Sequence, residues 1–312
     1  MEDKLKLFYK ELDTRYAKGD LEQVEQFLLH CVKDVGEKQE QETGIRIAVY
    51  NELGSFFRGI SRFDQSIQMF QYAQELVCAE LGYNSVQHAT VMNNMAGTYR
   101  IKGDYASAIR LFEQSLKIYR GCGEEKQYTF ASVLNNLALA YRENHQISKA
   151  IEYLEQALEL IEHMPERKQE TAITYHNLAA LYLAAGDQDM ASQCVNHAIS
   201  IFEQCADEEN VHYAAAFNSL AGILYAQNDC EKALQLYWKS LTYTKRFFGE
   251  NLEYGITFRN MYWVYKKMGR RKDAIAALEQ AYQIFERLLG TEHERTCAVA
   301  DDLRRLKEEE LV

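Results

Sequence analysis

Apolar and small residues recur along this chain in two alternating registers, and both registers have the helical period. Within residues 135–142, Leu137, Ala138 and Tyr141 fall in one narrow arc at about 100° per residue, with polar positions around them. After a break at Glu143 to Gln146, Ala150, Leu154 and Ala157 recur at spacings of four and three, which makes the matching face of a second helix. The first-helix pattern returns as Asn94-Met95-Ala96-Gly97-Thr98-Tyr99, Asn136-Leu137-Ala138-Leu139-Ala140-Tyr141 and Asn177-Leu178-Ala179-Ala180-Leu181-Tyr182, and more weakly at Ser219-Leu220-Ala221 and Asn260-Met261. The small residue that opens each second helix stands at Val24, Ser66, Ala108, Ala150, Ala191, Ala233 and Ala274, at intervals of 41 or 42. A register held over seven units predicts a stacked array in which each unit buries its apolar face against its neighbours.

The predicted helix pairs are 3–36, 45–82, 87–122, 129–164, 170–205, 211–249 and 253–290, with a capping helix over 295–310, forming one array across 1–312. Small residues at Ala138, Ala150 and Ala157 let paired helices approach closely. Gly19-Asp20, Gly103-Asp104, Gly186-Asp187 and Asn228-Asp229 each offer a residue tolerant of left-handed backbone, followed by an N-cap for the second helix. The last helix is polar: Leu303 keeps the core register, but Arg304 and Lys307 replace the small residue and the tyrosine, as expected of a cap. At the other end, 7–16 reads as a degenerate first helix, so the chain is expected to be a whole array, with any effector domain on a separate protein.

Composition restricts the function classes. A single proline, Pro165, suits a chain made almost wholly of helices. The charged amino terminus and the lack of any run of about 18 apolar residues predict a cytoplasmic protein without a membrane partner. Seven scattered cysteines are expected as reduced thiols rather than as a disulfide framework. A formal charge of −11 argues against nucleic acid as a partner, because such binding neutralises phosphates with Lys and Arg.

Leu-Ala-x-x-Tyr, followed nine positions on by a small residue and then by a large and another small one, resembles the tetratricopeptide repeat (TPR) fingerprint over nearly the whole chain. The period exceeds that family's usual one, and the Asn-Asn-Leu-Ala core with the Leu289-Gly290-Thr291-Glu292-His293 connector resembles the longer repeats of the kinesin-light-chain type. Leu81-Gly82 and Phe248-Gly249 occupy the same connection in two other units. No amino-terminal heptad coiled coil is present, and the connectors mostly lack the family's His-Pro. The resemblance implies an all-α fold, a right-handed superhelical solenoid of stacked antiparallel helix pairs. It also implies a concave surface, lined by the first helices, that receives peptides or partner proteins.

The residues turned away from the core on those helices are the candidate site. One row holds Asn51, Asn93, Asn135, His176, Asn218 and Arg259, and the next holds Asn94, Asn136, Asn177, Ser219 and Asn260. A third row begins with Arg58, Arg100 and Arg142 and continues through Leu183 to Tyr225 and Lys266. An amide both donates and accepts, so a ladder of them can pair with the backbone of an extended peptide, while arginine forks grip carboxylates. Gly97 and Gly222 leave the floor open, and Trp263 with Tyr225 offers an aromatic anchor. Each feature also has a plainer reading: amides that orient one repeat on the next, arginines on a solvated face, and a Trp263 that fills space beside Tyr262.

The expected function is therefore a non-catalytic interaction module that binds an extended, possibly acidic peptide segment. The alternatives are a peptide-sensing regulator resembling bacterial pheromone receptors and an assembly scaffold whose convex face would expose Trp238 and Phe247 together. The basic run from Lys266 to Lys272 reads as a solvated turn, with docking of an acidic tail or a phosphate as its alternative. Neither metal nor cofactor is expected: Cys194 and His197 sit one turn apart with Cys205 beyond, without a second ligand pair at zinc spacing.

Overall fold

The structure is a computed structural model that describes residues 2–37, 43–125, 127–205 and 213–308. The described residues form fifteen α-helices and a single 3₁₀ turn, without a strand. They divide into two compact units, 1–163 and 164–312. The first unit comprises α1 (Glu2–Tyr16), α2 (Leu21–Glu37), α3 (Thr43–Gly59), α4 (Phe63–Leu81), α5 (Val86–Lys102), α6 (Tyr105–Gly121), α7 (Tyr128–Glu143) and α8 (Ile147–Ile161). In the second, the 3₁₀ turn Pro165–Arg167 leads into α9 (Lys168–Ala185), followed by α10 (Gln188–Gln204), α11 (Tyr213–Ala226), α12 (Cys230–Phe248), α13 (Leu252–Lys267), α14 (Arg271–Leu289) and α15 (Glu294–Glu308). Within each unit consecutive helices pair, each pair packs on the next, and first helices touch first helices: α3 meets α5, α5 meets α7, and α11 meets both α9 and α13.

Close approach inside each pair is visible at the periodic small positions. Val24, Ser66, Ala108, Ala150, Ala191, Ala233 and Ala274 are all fully buried. Ser66 is the polar member of that set, and its hydroxyl donates to the Gly54 carbonyl at 2.7 Å and lies 3.0 Å from Thr98 Oγ1, so the core keeps no unpaired group there. Leu137, Ala138, Tyr141, Leu154 and Ala157 are buried as their spacing predicts.

The turn chemistry also follows the sequence. Asp20, Asp104, Asp187 and Asp229 each accept a hydrogen bond from the backbone N–H three residues on. The residues before them, Gly19, Gly103, Gly186 and Asn228, have positive φ. Two equivalent turns place Ser61 and His145 in the same left-handed conformation, which the sequence did not announce because neither residue favours it. Between repeats, Gly82 (φ 80°, ψ 168°) and Gly290 (φ 88°, ψ 164°) adopt backbone open essentially to glycine alone.

The last helix differs from its expected register. Thr296, Val299 and Leu306 are the buried residues of α15, whereas Leu303 is only half-buried. Burial therefore follows a seven-residue spacing, one turn on from the expected Leu303. Expected helix ends at 211–212 and 309–310 lie outside the described residues.

Glycine within helices is used where an aromatic ring closes on the backbone. A Cβ on Gly255 would stand 2.6 Å from the ring of Phe285 and 3.0 Å from Ile284, both buried. Gly255→Ala is accordingly expected to cost about 1–3 kcal/mol through overpacking. Gly59→Ala, where a Cβ meets nothing within 4 Å, should be neutral or stabilising by up to about 1 kcal/mol. Equilibrium urea unfolding of the two variants tests both signs.

Candidate functional site

In the first unit the expected residues lie along α3, α5 and α7. Asn94 Nδ2 donates to Asn51 Oδ1 at 2.9 Å, and Asn136 Nδ2 donates to Asn93 Oδ1 at 3.4 Å, so the second amide of each repeat reaches back to the first amide of the repeat before it. Asn135 Nδ2 donates to the Ala131 carbonyl of its own helix. The amides thus bridge neighbouring repeats, as their plainer reading expects. Each keeps some donor or acceptor capacity on a half-buried face.

The arginines divide by partner. Arg100 Nη1 donates to Glu143 Oε1 at 2.7 Å across a repeat, and Arg142 reaches the same carboxylate at 3.5 Å. Arg58 has no carboxylate at ion-pair distance among the described residues; its Nη1 donates to the Asn94 backbone carbonyl at 3.1 Å. Burial and then the Arg100 charge pull the Arg58 pKa down, so the cation is held with incomplete compensation. Gly97 makes room for it: a Cβ there would be 3.1 Å from Arg58 Nη1. Beneath this row, burial raises the pKa of Glu52 above its ordinary 4.5 despite a hydrogen bond from Asn51 and the charge of Arg58, with Asp13 adding to the rise.

The second unit carries the other half of the expected set on α9, α11 and α13. Asn260 Nδ2 donates to Asn218 Oδ1 at 3.1 Å, repeating the rung seen in the first unit, and Asn218 Nδ2 donates to Thr257 Oγ1 at 3.1 Å. His176, Asn177 and Arg259 are half-buried, and Arg259 Nε is a buried donor without a partner. Between α11 and α13 opens a cleft of about 570 Å³. It brings together four expected residues, Asn218, Tyr225, Asn260 and Trp263, over the bare backbone of Gly222. Trp263 also packs against Tyr262 at 4.7 Å between ring centroids, so filling space and lining the cleft are both true of it. Lys266 donates to Tyr262 Oη and lies 5.4 Å over the Trp263 ring.

Two cleft residues were missed by the sequence reading. Glu253 opens α13 and is exposed, with its carboxylate unpaired among the described residues. Tyr237 comes from α12, and only 3% of it is exposed. Its hydroxyl is the atom nearest to a Cβ built on Gly222, at 3.8 Å, and is without a hydrogen-bond partner among the described residues. Burial, and then Tyr225, push its pKa up to about 12, so it is a neutral donor at any working pH. A signal for it existed: four residues after each periodic small position stand Leu28, Phe70, Phe112, Leu154, Val195 and Leu278, and Tyr237 alone brings an oxygen to that slot.

Other candidates resolve as structure. Cys194 and Cys205 are buried and His197 stacks on Tyr175 at 4.9 Å; the described residues hold no group of three or more His, Cys, Asp or Glu placed to bind a metal ion. In the basic turn, Arg270 pairs with Asp273 at 2.8 Å, Arg271 donates to the Leu306 carbonyl, and Lys267 donates to the Tyr225 carbonyl. Trp238 is exposed edge-on to Phe258, while Phe247 is half-buried and stacked on Tyr243. Nine residues of helix, about 13 Å, separate them.

Stacked antiparallel helix pairs with a polar row along their first helices define a helical-repeat scaffold. The tetratricopeptide repeat family model matches residues 46–121, 129–204 and 212–287, well over half of the chain, and the chain belongs to that family. Solved structures share the fold. The kinesin-light-chain TPR-like repeats of Podosopora anserina are 19% identical, covering 66% of this chain and 98% of that one at a TM-score of 0.57. The apo form of RapI is 15% identical, covering 90% and 97% at 0.64. A Rap protein complexed with competence and sporulation factor is 14% identical, covering 99% of both chains at 0.58. A search of curated proteins finds no match. No helix among the described residues is long and apolar enough to cross a membrane.

Two measurements follow from this geometry. Asn136→Ala and Asn260→Ala each remove an inter-repeat bond and are expected to cost about 0.5–1.5 kcal/mol in urea unfolding, whereas Asn177→Ala, whose amide bonds to none of the described residues, should stay within about 0.5 kcal/mol. Glu52 has a folded pKa above its ordinary one, so its stabilising contribution is complete below about pH 4.5 and is lost as pH rises through the folded value. Glu52→Gln should therefore melt higher than wild type at pH 7, and the two curves should converge below pH 4.5.

Proposed function

We propose that this protein is a non-catalytic interaction module whose first-helix face binds an extended peptide segment, with an acidic residue of that segment received by the arginine row of the first unit. The observation that carries the reading is Arg58, a half-buried guanidinium beside a second cation, with a backbone carbonyl where a carboxylate would be expected. Arg100 and Arg142 share the single carboxylate of Glu143, so the row holds more positive than negative charge. A carboxylate arriving there gains charge-assisted bonds from the guanidinium fork and relieves the repulsion between Arg58 and Arg100. The amides flanking the row retain capacity to pair with the ligand's backbone, which reads no side chain and suits an extended segment. The Rap protein that shares the fold was solved in complex with competence and sporulation factor, which supports a binding role for stacked helix pairs of this kind.

The test uses a fluorescein-labelled, amidated peptide with two adjacent glutamates in an otherwise uncharged sequence, and its diglutamine counterpart, read by fluorescence anisotropy. Wild type should favour the acidic peptide, and Arg58→Gln should weaken that peptide about tenfold while leaving the diglutamine peptide unchanged. The melting temperature should stay close to wild type, because the side chain removed was itself poorly compensated. Equal affinity of wild type and variant for the acidic peptide would remove Arg58 from the site and the acidic preference with it.

A further inference from the structure

Tyr237 presents an oxygen at a core position and leaves it unused. It is buried on α12, its hydroxyl is aimed at the floor of the α11–α13 cleft through the gap over Gly222, and no described group accepts from it or donates to it. The small part of Tyr237 that stays exposed opens into the cleft, so its hydroxyl meets whatever fills that space with its donor free, a polar contact that Leu, Phe or Val at this position in the other six repeats does not offer. Its partner therefore comes from the cleft side, and a ligand that enters can take the place of solvent there.

The walls limit what that is. Glu253 lines the cleft with an unpaired carboxylate. Lys266 and Lys267 stand about 20 Å from Glu253 along the same helix at 1.5 Å per residue; Lys266 lies at the Trp263 end of the cleft, 5.4 Å over that ring, and donates to Tyr262, while Lys267 donates to the Tyr225 carbonyl. The Asn218–Asn260 rung leaves the Asn260 carbonyl oxygen open as an acceptor. Trp263, 40% exposed, provides a flat apolar wall. A volume of about 570 Å³ accommodates a few peptide residues rather than a folded domain.

We propose that the α11–α13 cleft is a second, oppositely charged subsite that takes a lysine- or arginine-bearing stretch of extended peptide, with Tyr237 Oη donating to a ligand main-chain carbonyl and Glu253 pairing with the cationic side chain. The indole of Trp263 covers the aliphatic stem of that side chain. Gly222 lets the ligand backbone come within reach of the hydroxyl, the role that Gly97 plays for Arg58 in the first unit. This inference rests on the peptide-binding reading above but on none of its residues, so the two can fail separately.

Four fluorescein-labelled heptapeptide pools test it, each randomised over uncharged residues at six positions and fixed at the centre as Lys, Arg, Glu or Gln. Anisotropy titrations of wild type should rank the Lys and Arg pools above the Gln pool. Glu253→Gln should remove that advantage, about fivefold for an exposed pair, without changing the Gln pool. Tyr237→Phe should weaken the Lys and Arg pools alike, by about three- to tenfold, and leave the Glu pool, which the Arg58 site receives, unchanged, while its melting temperature stays level or rises because no internal bond is lost. A Lys or Arg advantage that is absent from wild type, or that survives Glu253→Gln, overturns the assignment of Glu253. A large drop in melting temperature for Tyr237→Phe overturns the role given to the hydroxyl. A Glu-pool advantage removed by Arg58→Gln and not by Glu253→Gln, without any Lys or Arg advantage, leaves the first-unit site standing and sinks this one. Failure of every pool to bind wild type sinks both.

Discussion

Everything in this fold depends on how closely two helices can approach inside each repeat. The approach is set by one residue at the start of each second helix, buried to zero exposure in all seven repeats and never larger than valine. Where that residue is polar, as Ser66 is, its hydroxyl is consumed at once by a backbone carbonyl. Where the facing helix comes closest, it is reduced to glycine so that Phe70 or Phe285 can lie against its backbone. A core held this tightly tolerates little change in volume, so the residues on its helices are mostly committed to packing.

Freedom is left on the outer side of the first helices, and one slot shows how it is used. Two residues after the core leucine or methionine stand Ser55, Gly97, Leu139, Ala180, Gly222 and Trp263. Glycine at Gly97 opens a gap that the protein fills itself with Arg58 from the preceding repeat. At Gly222 the residue equivalent to Arg58 is Leu183, which is shorter and uncharged, and the gap persists as part of a cleft with Tyr237 at its base. The same backbone device gives a cationic surface in one unit and an aromatic, acid-rimmed cleft in the other. Specificity in such a scaffold comes from which neighbour reaches over a missing side chain.

The fold was legible because its determinants are local and repeated. Helix period, small-residue spacing and the Gly-Asp turns each lie within a few residues of one another, and seven copies average out the exceptions. The exceptions were physical ones. His145 and Ser61 adopt left-handed backbone that only the surrounding turn imposes, and in the last helix burial falls on Leu306 rather than on Leu303. The site was legible in its rows but not in its partners. Spacing places Asn94 and Asn136 on the outer face, yet a single-helix projection cannot show that each amide reaches back to the previous repeat. Tyr237 was overlooked for a related reason: it sits on the helix assigned to the core, and only the three-dimensional gap above Gly222 turns a core tyrosine into a cleft residue.

Arg58 and Tyr237 share a property that explains where recognition can arise in a stack of this kind. Both are polar groups on largely enclosed side chains whose hydrogen-bonding capacity the fold leaves partly unused, and side chains so placed keep one orientation only where the surroundings hold them. Arg58 lies on α3 and Tyr237 on α12, and each of those helices is flanked within its unit by helices on both sides. The outermost helices described, α1 and α15, carry polar faces and bury fewer residues, so they have little surplus packing to hold an uncompensated group in place. An internal repeat can bear the local cost because its neighbours hold it on two sides. At Arg58 binding energy then offsets a penalty already present in the folded chain, which makes the gain on binding larger than the same contact would give on a solvated surface.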